Sequence, residues 1–204
     1  MRVIPLSTTA IDEAASAILR GEIVVHPTET CYGLACDLSK PEVVSRLFLV
    51  KARPPAKPVS ALFPTVEEAK RYVRWNDRAE ALAAEHLPGP LTIILPFRDD
   101  APQRILPTPG GWTSVGVRVS SHPFAAALAA AVGRPIATTS ANLHGQPVPY
   151  DPSVIVGSWG SATAAVVAPD LFVDAGTLPR VAPSTVIDLT EGLPQVRREG
   201  PVAG

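Results

Sequence analysis

Three cations stand close together in Lys51-Ala52-Arg53-Pro54-Pro55-Ala56-Lys57-Pro58, and three prolines stiffen the eight residues that carry them. Like charges at fixed spacing suit an anion, because proline lowers the cost of keeping them together. A solvated, polyproline-like linker is the competing description of the same stretch. Hydroxyls and a carboxylate collect elsewhere. Thr28, Glu29 and Thr30 follow Ile23-Val24-Val25-His26-Pro27, and Ser140 and Asn142 follow Ile136-Ala137-Thr138-Thr139. Ser184 and Thr185 open Val186-Ile187-Asp188-Leu189. Arg118 sits within Val115-Gly116-Val117-Arg118-Val119, either on an exposed strand edge or projecting into a site. Together these residues suggest a polar pocket for phosphate and a small polar ligand. Neither standard glycine-rich phosphate loop is present, and there is no His/Cys/Asp metal cluster. Ser140 has no evident histidine and acid pair in sequence, although His144 is near, so a nucleophilic triad is not supported.

The polar residues need elements to hold them. Ile23–Val25, Val59–Phe63, Leu91–Leu95, Val115–Val119, Ile136–Thr139 and Ser184–Leu189 have the apolar, β-branched character of strands. Val3-Ile4, Leu34–Leu38, Ala164–Val167 and Leu171–Val173 are shorter strand candidates. Helical spacing runs from about Thr9 to Arg20, with Ser7 or Thr8 as cap and Gly21 as stop. Ser39-Lys40-Pro41-Glu42 has the form of a capped start to a second helix, ending near Lys51. Further helices are expected over Thr65–Trp75, Asn76–His86, Pro123–Val132 and Pro152–Trp159. Pro96–Gly111 is a polar, proline-containing excursion suited to a lid. Val196 and Arg197-Arg198-Glu199-Gly200 end the chain without an assigned element.

At 204 residues and 46% hydrophobic content the chain can bury one good-sized core, and one domain over 1–204 is expected. Its 19 acidic and 18 basic residues give a net charge of -1, so no overall charge steers it to nucleic acid. The two cysteines, Cys31 and Cys36, give no disulfide framework and no metal spacing. The N-terminus lacks a signal-peptide core and no apolar run reaches a membrane span, so a cytoplasmic protein with no membrane contact is expected.

Six segments in order then carry a resemblance. They are Pro27-Thr28-Glu29-Thr30-Cys31-Tyr32-Gly33-Leu34, Lys51-Ala52-Arg53-Pro54, Leu87-Pro88-Gly89-Pro90-Leu91-Thr92, and Val117-Arg118-Val119 with His122-Pro123. Thr139-Ser140-Ala141-Asn142-Leu143-His144-Gly145 and Pro183-Ser184-Thr185-Val186-Ile187-Asp188 complete the set. The chain thereby resembles the threonylcarbamoyl-AMP synthase family, the YrdC/Sua5/YciO-type domain. The resemblance implies an α/β (α+β) fold: a twisted mixed sheet with flanking helices around a concave cavity.

It also implies a reaction that joins L-threonine, bicarbonate and ATP into threonylcarbamoyl-adenylate and pyrophosphate. Downstream tRNA-modification transferase proteins would pass the group to adenosine 37 of tRNA, with weak tRNA contact by this chain itself. By motif, Thr30, Arg118, Thr138 and Ser184 would contact threonine. Lys51, Arg53, Lys57, Ser114, Ser140, Asn142 and Arg198 would contact ATP. Lys51, Arg53 and Arg118 would carry the catalytic load. On the chemistry alone, Glu29 suits orienting a lysine or arginine rather than acting as a base. Mg²⁺ would arrive on the phosphates, and no protein metal ligand is assigned. Some features depart from the family pattern. Ser60-Ala61-Leu62 replaces a more apolar run, and Glu199 stands where proline is usual, placing negative charge beside Arg198. Longer members add a second small domain, which this chain is expected to lack. Two rivals stand beside this reading: a related carbamoyl-adenylate enzyme with another acceptor, and a non-catalytic RNA-binding member of the fold.

Overall fold

Residues alternate faces along a strand, and here the alternation sorts the chain into two cores and a cavity. The computed structural model describes residues 1–54, 59–102, 111–159 and 167–202. Its strands are β1 (Arg2–Pro5), β2 (Val24–His26), β3 (Gly33–Asp37), β4 (Ser60–Leu62), β5 (Leu91–Pro96) and β6 (Ser114–Arg118). β7 (Ile136–Ser140), β8 (Leu171–Asp174), β9 (Thr185–Asp188) and β10 (Gln195–Arg198) complete one mixed sheet. The strands lie in the order β1-β8-β2-β3-β7-β4-β6-β5-β9-β10. On one face Val25, Leu34, Ala61, Ile93, Val117 and Ile187 join a large core. Helices α2 (Pro41–Val50), α3 (Val66–Lys70), α4 (Asp77–His86) and α6 (Pro152–Trp159) contribute to that core.

On the opposite face Val24, Ala35, Leu62, Ile136 and Leu171 pack with α1 (Thr8–Arg20) and α5 (Pro123–Val132). These two helices pack against each other, and both bring small residues to this core, Ala10, Ala14 and Ala17 on α1 and Ala125 and Ala129 on α5. The second core is drawn from β8, β2, β3, β7 and β4. Farther along the sheet that face is polar and forms a cavity.

The helix ends follow from local chemistry. Ser7 caps α1 by accepting from the Ala10 amide at 3.2 Å, and Asn76 caps α4 by accepting from Ala79 at 2.9 Å. Gly21 ends α1 at φ +93°, where a side chain would be strained. Three expectations need correction. The hydroxyl of Ser39 donates to Asp37 at 2.6 Å instead of capping α2, whose cap is Lys40. The expected helix over Thr65–Trp75 stops at Lys70, because the chain beyond it pairs with the end of β5. Arg74 donates to the Pro96 carbonyl and Arg98 donates to the Tyr72 carbonyl, at 2.8 and 3.0 Å. The unassigned C-terminal segment is strand β10, antiparallel to β9 with an irregularity between Val196 and Arg198. Residues 164–166 of one strand candidate and 103–110 of the lid candidate lie outside the described residues, and Val167 is not in a strand.

His26 is fully buried at the end of β2, with Nδ1 3.1 Å from the Pro27 carbonyl. Burial pulls its imidazole down to about 4 from an ordinary 6.5. Between those values the unfolded chain takes up a proton that the native chain refuses, so stability drops as pH falls from 6.5 through 4. The expected loss approaches about 3 kcal/mol at pH 4. Urea unfolding at pH 7 and pH 4.5 checks this: the His26→Gln variant should show a flatter dependence, and an equal slope would refute the assignment.

Candidate functional site

The cavity has a volume of about 990 Å³, within the range of small-molecule and cofactor sites. Its floor is the second face of the sheet. Register places Thr138 beside Ser60, Ser60 beside Gly116, Gly116 beside Ile94, and Ile94 beside Asp188. Four strand spacings of about 4.8 Å make this row roughly 19 Å long. Gly116 keeps the middle low: a Cβ there would lie 2.8 Å from Thr92 Cγ2 and 2.9 Å from Ser60 Oγ. Five cations line the walls (Lys51, Arg53, Arg118, Arg197 and Arg198), with Asp188 as the one carboxylate among the described lining residues. Asp188 is already paired with Arg197 at 2.9 Å. The cavity therefore favours a ligand with more than one negative charge.

Lys51 and Arg53 reach the cavity through the end of α2. Arg53 donates its amide to the Phe48 carbonyl at 2.9 Å, and Ala52 donates to Leu49 at 3.0 Å. This is the double closure that normally puts glycine at the left-handed position. Ala52 holds that position instead, at φ +50°, at a conformational cost of roughly 1 kcal/mol. The turn sets Lys51 and Arg53 two residues apart on one wall. Lys51 Nζ donates to the Ser140 carbonyl, to the Asn142 carbonyl at 2.9 Å and to Asn142 Oδ1 at 3.2 Å. Ser140 Oγ also meets Asn142 Oδ1, at 2.5 Å. One ammonium thus organises the polar end of β7. Burial, and then the charge of Arg53, push Lys51 down to about 7. Arg53 stacks 5.9 Å from the Phe48 ring, and burial lowers its pKa as well.

Arg118 projects into the site, which settles the alternative left by the sequence. It ends an inner strand, between β4 and β5, and pairs with Glu29. Thr28 shapes the turn before it: its hydroxyl donates to the Cys31 carbonyl at 2.6 Å and accepts from the Thr30 and Cys31 amides, both at 3.2 Å. Thr30 is left on the wall. Across the cavity Ser184 Oγ lies 2.9 Å from Thr92 Oγ1. Arg198 grips Ser184 twice, with Nε on the carbonyl and Nη2 on the hydroxyl, both at 2.9 Å. Gly200 lets the chain close over this point, since a Cβ there would fall 2.4 Å from the Pro183 oxygen and the Thr185 nitrogen. Glu199 is exposed and does not line the cavity.

Ten of the eleven site residues expected from sequence line this one cavity: Thr30, Lys51, Arg53, Ser114, Arg118, Thr138, Ser140, Asn142, Ser184 and Arg198. The eleventh, Lys57, lies outside the described residues. Sequence reasoning missed Thr92, Gly116, Asp188 and Arg197 as wall residues. For the first three the signal was the alternation along β5, β6 and β9, whose other positions are core. Cys31 is on the wall, but burial raises its thiol pKa, which leaves it protonated and a poor nucleophile. Cys36 is wholly buried, and burial raises its pKa too.

A family model for Sua5/YciO/YrdC, described as "Telomere recombination", matches residues 16–200. A threonylcarbamoyl-AMP synthase of Pyrococcus abyssi is 35% identical over 188 residues, covering 92% of this chain and 53% of the relative. The enzyme of the same name from Klebsiella pneumoniae is 30% identical over 190 residues, covering 92% and 95%. The crystal structure of P. abyssi Sua5 complexed with L-threonine superposes with a TM-score of 0.85 at 32% identity. It covers 98% of this chain and 58% of its own. This chain thus spans about half the length of the Pyrococcus relative and nearly all of the Klebsiella one.

Proposed function

Because the chain belongs to the Sua5/YciO/YrdC family, we propose that it is a threonylcarbamoyl-AMP synthase, joining L-threonine, bicarbonate and ATP into threonylcarbamoyl-adenylate and pyrophosphate. The observation that carries this reading is the cavity whose described lining residues set five cations against one carboxylate, roughly 19 Å along its floor. The carboxylate of threonine and the triphosphate of ATP are both anionic groups, and the two substrates must lie end to end to react. One domain over 1–204 performs the reaction.

In the proposed mechanism the unprotonated threonine amine bonds to the carbon of bicarbonate and water leaves, which gives the carbamate. A carbamate oxygen bonds to the α-phosphorus, the bond to the bridging oxygen breaks, and pyrophosphate leaves with the electron pair. The protein supplies position and charge rather than a covalent nucleophile. Arg118 takes the threonine carboxylate in its planar fork, with Thr30, Thr138 and Ser184 around the rest of the amino acid. Lys51 and Arg53, with Ser114, Ser140, Asn142 and Arg198, hold ATP and meet the charge that grows on the leaving phosphates. Lys57 joins them by resemblance alone.

No group of three His, Cys, Asp or Glu side chains among the described residues could cage a metal. Mg²⁺ would arrive with ATP, held mostly by its phosphates and by water. The product, a mixed anhydride, goes to tRNA-modification transferases in the cytoplasm, with at most weak tRNA contact by this chain. Among the described residues no helix is long and apolar enough to cross a membrane.

Pyrophosphate release from ATP and bicarbonate tests the reading. It should require L-threonine. Equal rates with glycine, serine or carbamoyl phosphate would overturn it in favour of another acceptor. Salt-sensitive RNA binding with no adenylate formed would favour the non-catalytic alternative.

A further inference from the structure

Arg118 is fixed at two points, and only one of them is its backbone. The Arg118 carbonyl accepts from the Phe63 amide at 2.9 Å, and the Val119 carbonyl accepts from Gly89 at 2.9 Å. Backbone bonds leave a long side chain free to turn about several torsions. The second point is Glu29. One carboxylate oxygen accepts from Arg118 Nη2 and the other accepts from Ser120 Oγ. The side chains of Arg118 and Glu29 are only 9% and 13% exposed. Arg118 lines the cavity, whereas Glu29 does not. The carboxylate therefore holds the guanidinium without itself being part of the cavity lining.

The hold continues outward. Ser120 Oγ accepts from the His122 amide at 3.2 Å, and His122 Nδ1 accepts from the Phe124 amide at 3.2 Å, capping α5. Residues 118, 120 and 122 thus run from the cavity to the start of a packed helix. Lys51, Arg53 and Arg198 share the wall with Arg118, and their charge would push an unrestrained guanidinium out towards solvent.

We propose that Glu29 is a positioning residue that aims Arg118 into the cavity, with Ser120 linking that hold to the start of α5. The inference rests on the functional reading above, in which Arg118 receives the carboxylate of L-threonine. A neutral amide at position 29 keeps the shape of the carboxylate but loses the charge that holds the guanidinium.

The experiment combines L-threonine binding by calorimetry without ATP, steady-state KM values for threonine and ATP, and the guanidinium nitrogen NMR signal of Arg118. Glu29→Gln should raise the threonine Kd and KM about tenfold or more and the ATP KM less than about twofold. Its Arg118 signal should lose the sharp, slowly exchanging form of the wild type. Glu29→Asp should recover part of the threonine affinity, since charge is retained. Ser120→Ala keeps the Glu29–Arg118 pair, so it tests the proposal even if a Glu29 variant fails to fold. It should raise the threonine KM a few-fold, on the order of one lost hydrogen bond. Unchanged threonine Kd and Arg118 signal in Glu29→Gln overturn the proposal, as does an equal rise in both KM values. An unchanged Ser120→Ala removes the link to α5. A wild-type protein that binds no threonine defeats the functional reading instead, and the NMR signal still reports whether Glu29 orders Arg118.

Discussion

Arg118→Ala is expected to abolish threonine-dependent pyrophosphate release, lowering kcat/KM for threonine by about a thousandfold or more. The size follows from the site. Arg118 is the cation on the inner strand of the floor, beside Leu62 of β4, and that neighbour cannot carry charge in its place. Part of the loss is unrelated to substrate, because the variant leaves Glu29 without its cation. Breaking a buried pair by removing one partner costs about 3 kcal/mol or more, which for a domain of this size lowers the melting temperature by roughly 6–12 °C. The double variant Arg118→Ala with Glu29→Gln separates the two effects. It removes the orphaned charge, so the melting temperature should recover while turnover stays lost. Wild-type threonine affinity in either variant would refute the role of Arg118. Recovery of turnover in the double variant would show that the single substitution acted through the fold.

The strands were legible in the sequence because the face opposite the cavity is apolar at every second position. Ile93 and Val117 join the large core, and Thr92 and Gly116 between them line the cavity. That alternation already holds the cavity floor, yet a single strand cannot say which strands stand side by side. Pairing of β4 with both β6 and β7 brings Ser60, Gly116 and Thr138 into one row, and no local pattern encodes that adjacency. β10 escaped notice for a related reason. Its residues Gln195-Val196-Arg197-Arg198 are exposed, so hydrophobic patterning has little to report, and its place depends on a contact with β9. Ala52 left no signal either, since alanine rarely takes the left-handed turn that glycine would announce. The cations that do the gripping were visible as residue types from the start. Only the fold could show that Lys51 faces backbone carbonyls of β7 and the loop after it.

That placement makes a proton part of ATP binding. Lys51 Nζ faces three oxygen acceptors, the Ser140 carbonyl, the Asn142 carbonyl and Asn142 Oδ1. Only an ammonium can donate to all three. Burial and Arg53 work against it and set the pKa to about 7. At pH 8 the group is then about one-tenth protonated. The polyphosphate of ATP brings negative charge to the same wall and favours the ammonium, so the pKa of Lys51 must rise when ATP binds. If it passes about 9, binding at pH 8 takes up nearly one proton, and binding at pH 6 takes up almost none, because the ammonium is already formed there. Calorimetric titration of ATP in buffers of different ionisation heat measures this uptake directly. The Lys51→Met variant should show none and should lower kcat/KM about a thousandfold through loss of charge at the leaving phosphates. Lys51→Arg should not rescue it, since a planar fork cannot converge on three oxygens arranged around one nitrogen. Equal uptake in wild type and Lys51→Met, or none in either at pH 8, would refute a role for Lys51 as the phosphate-responsive cation.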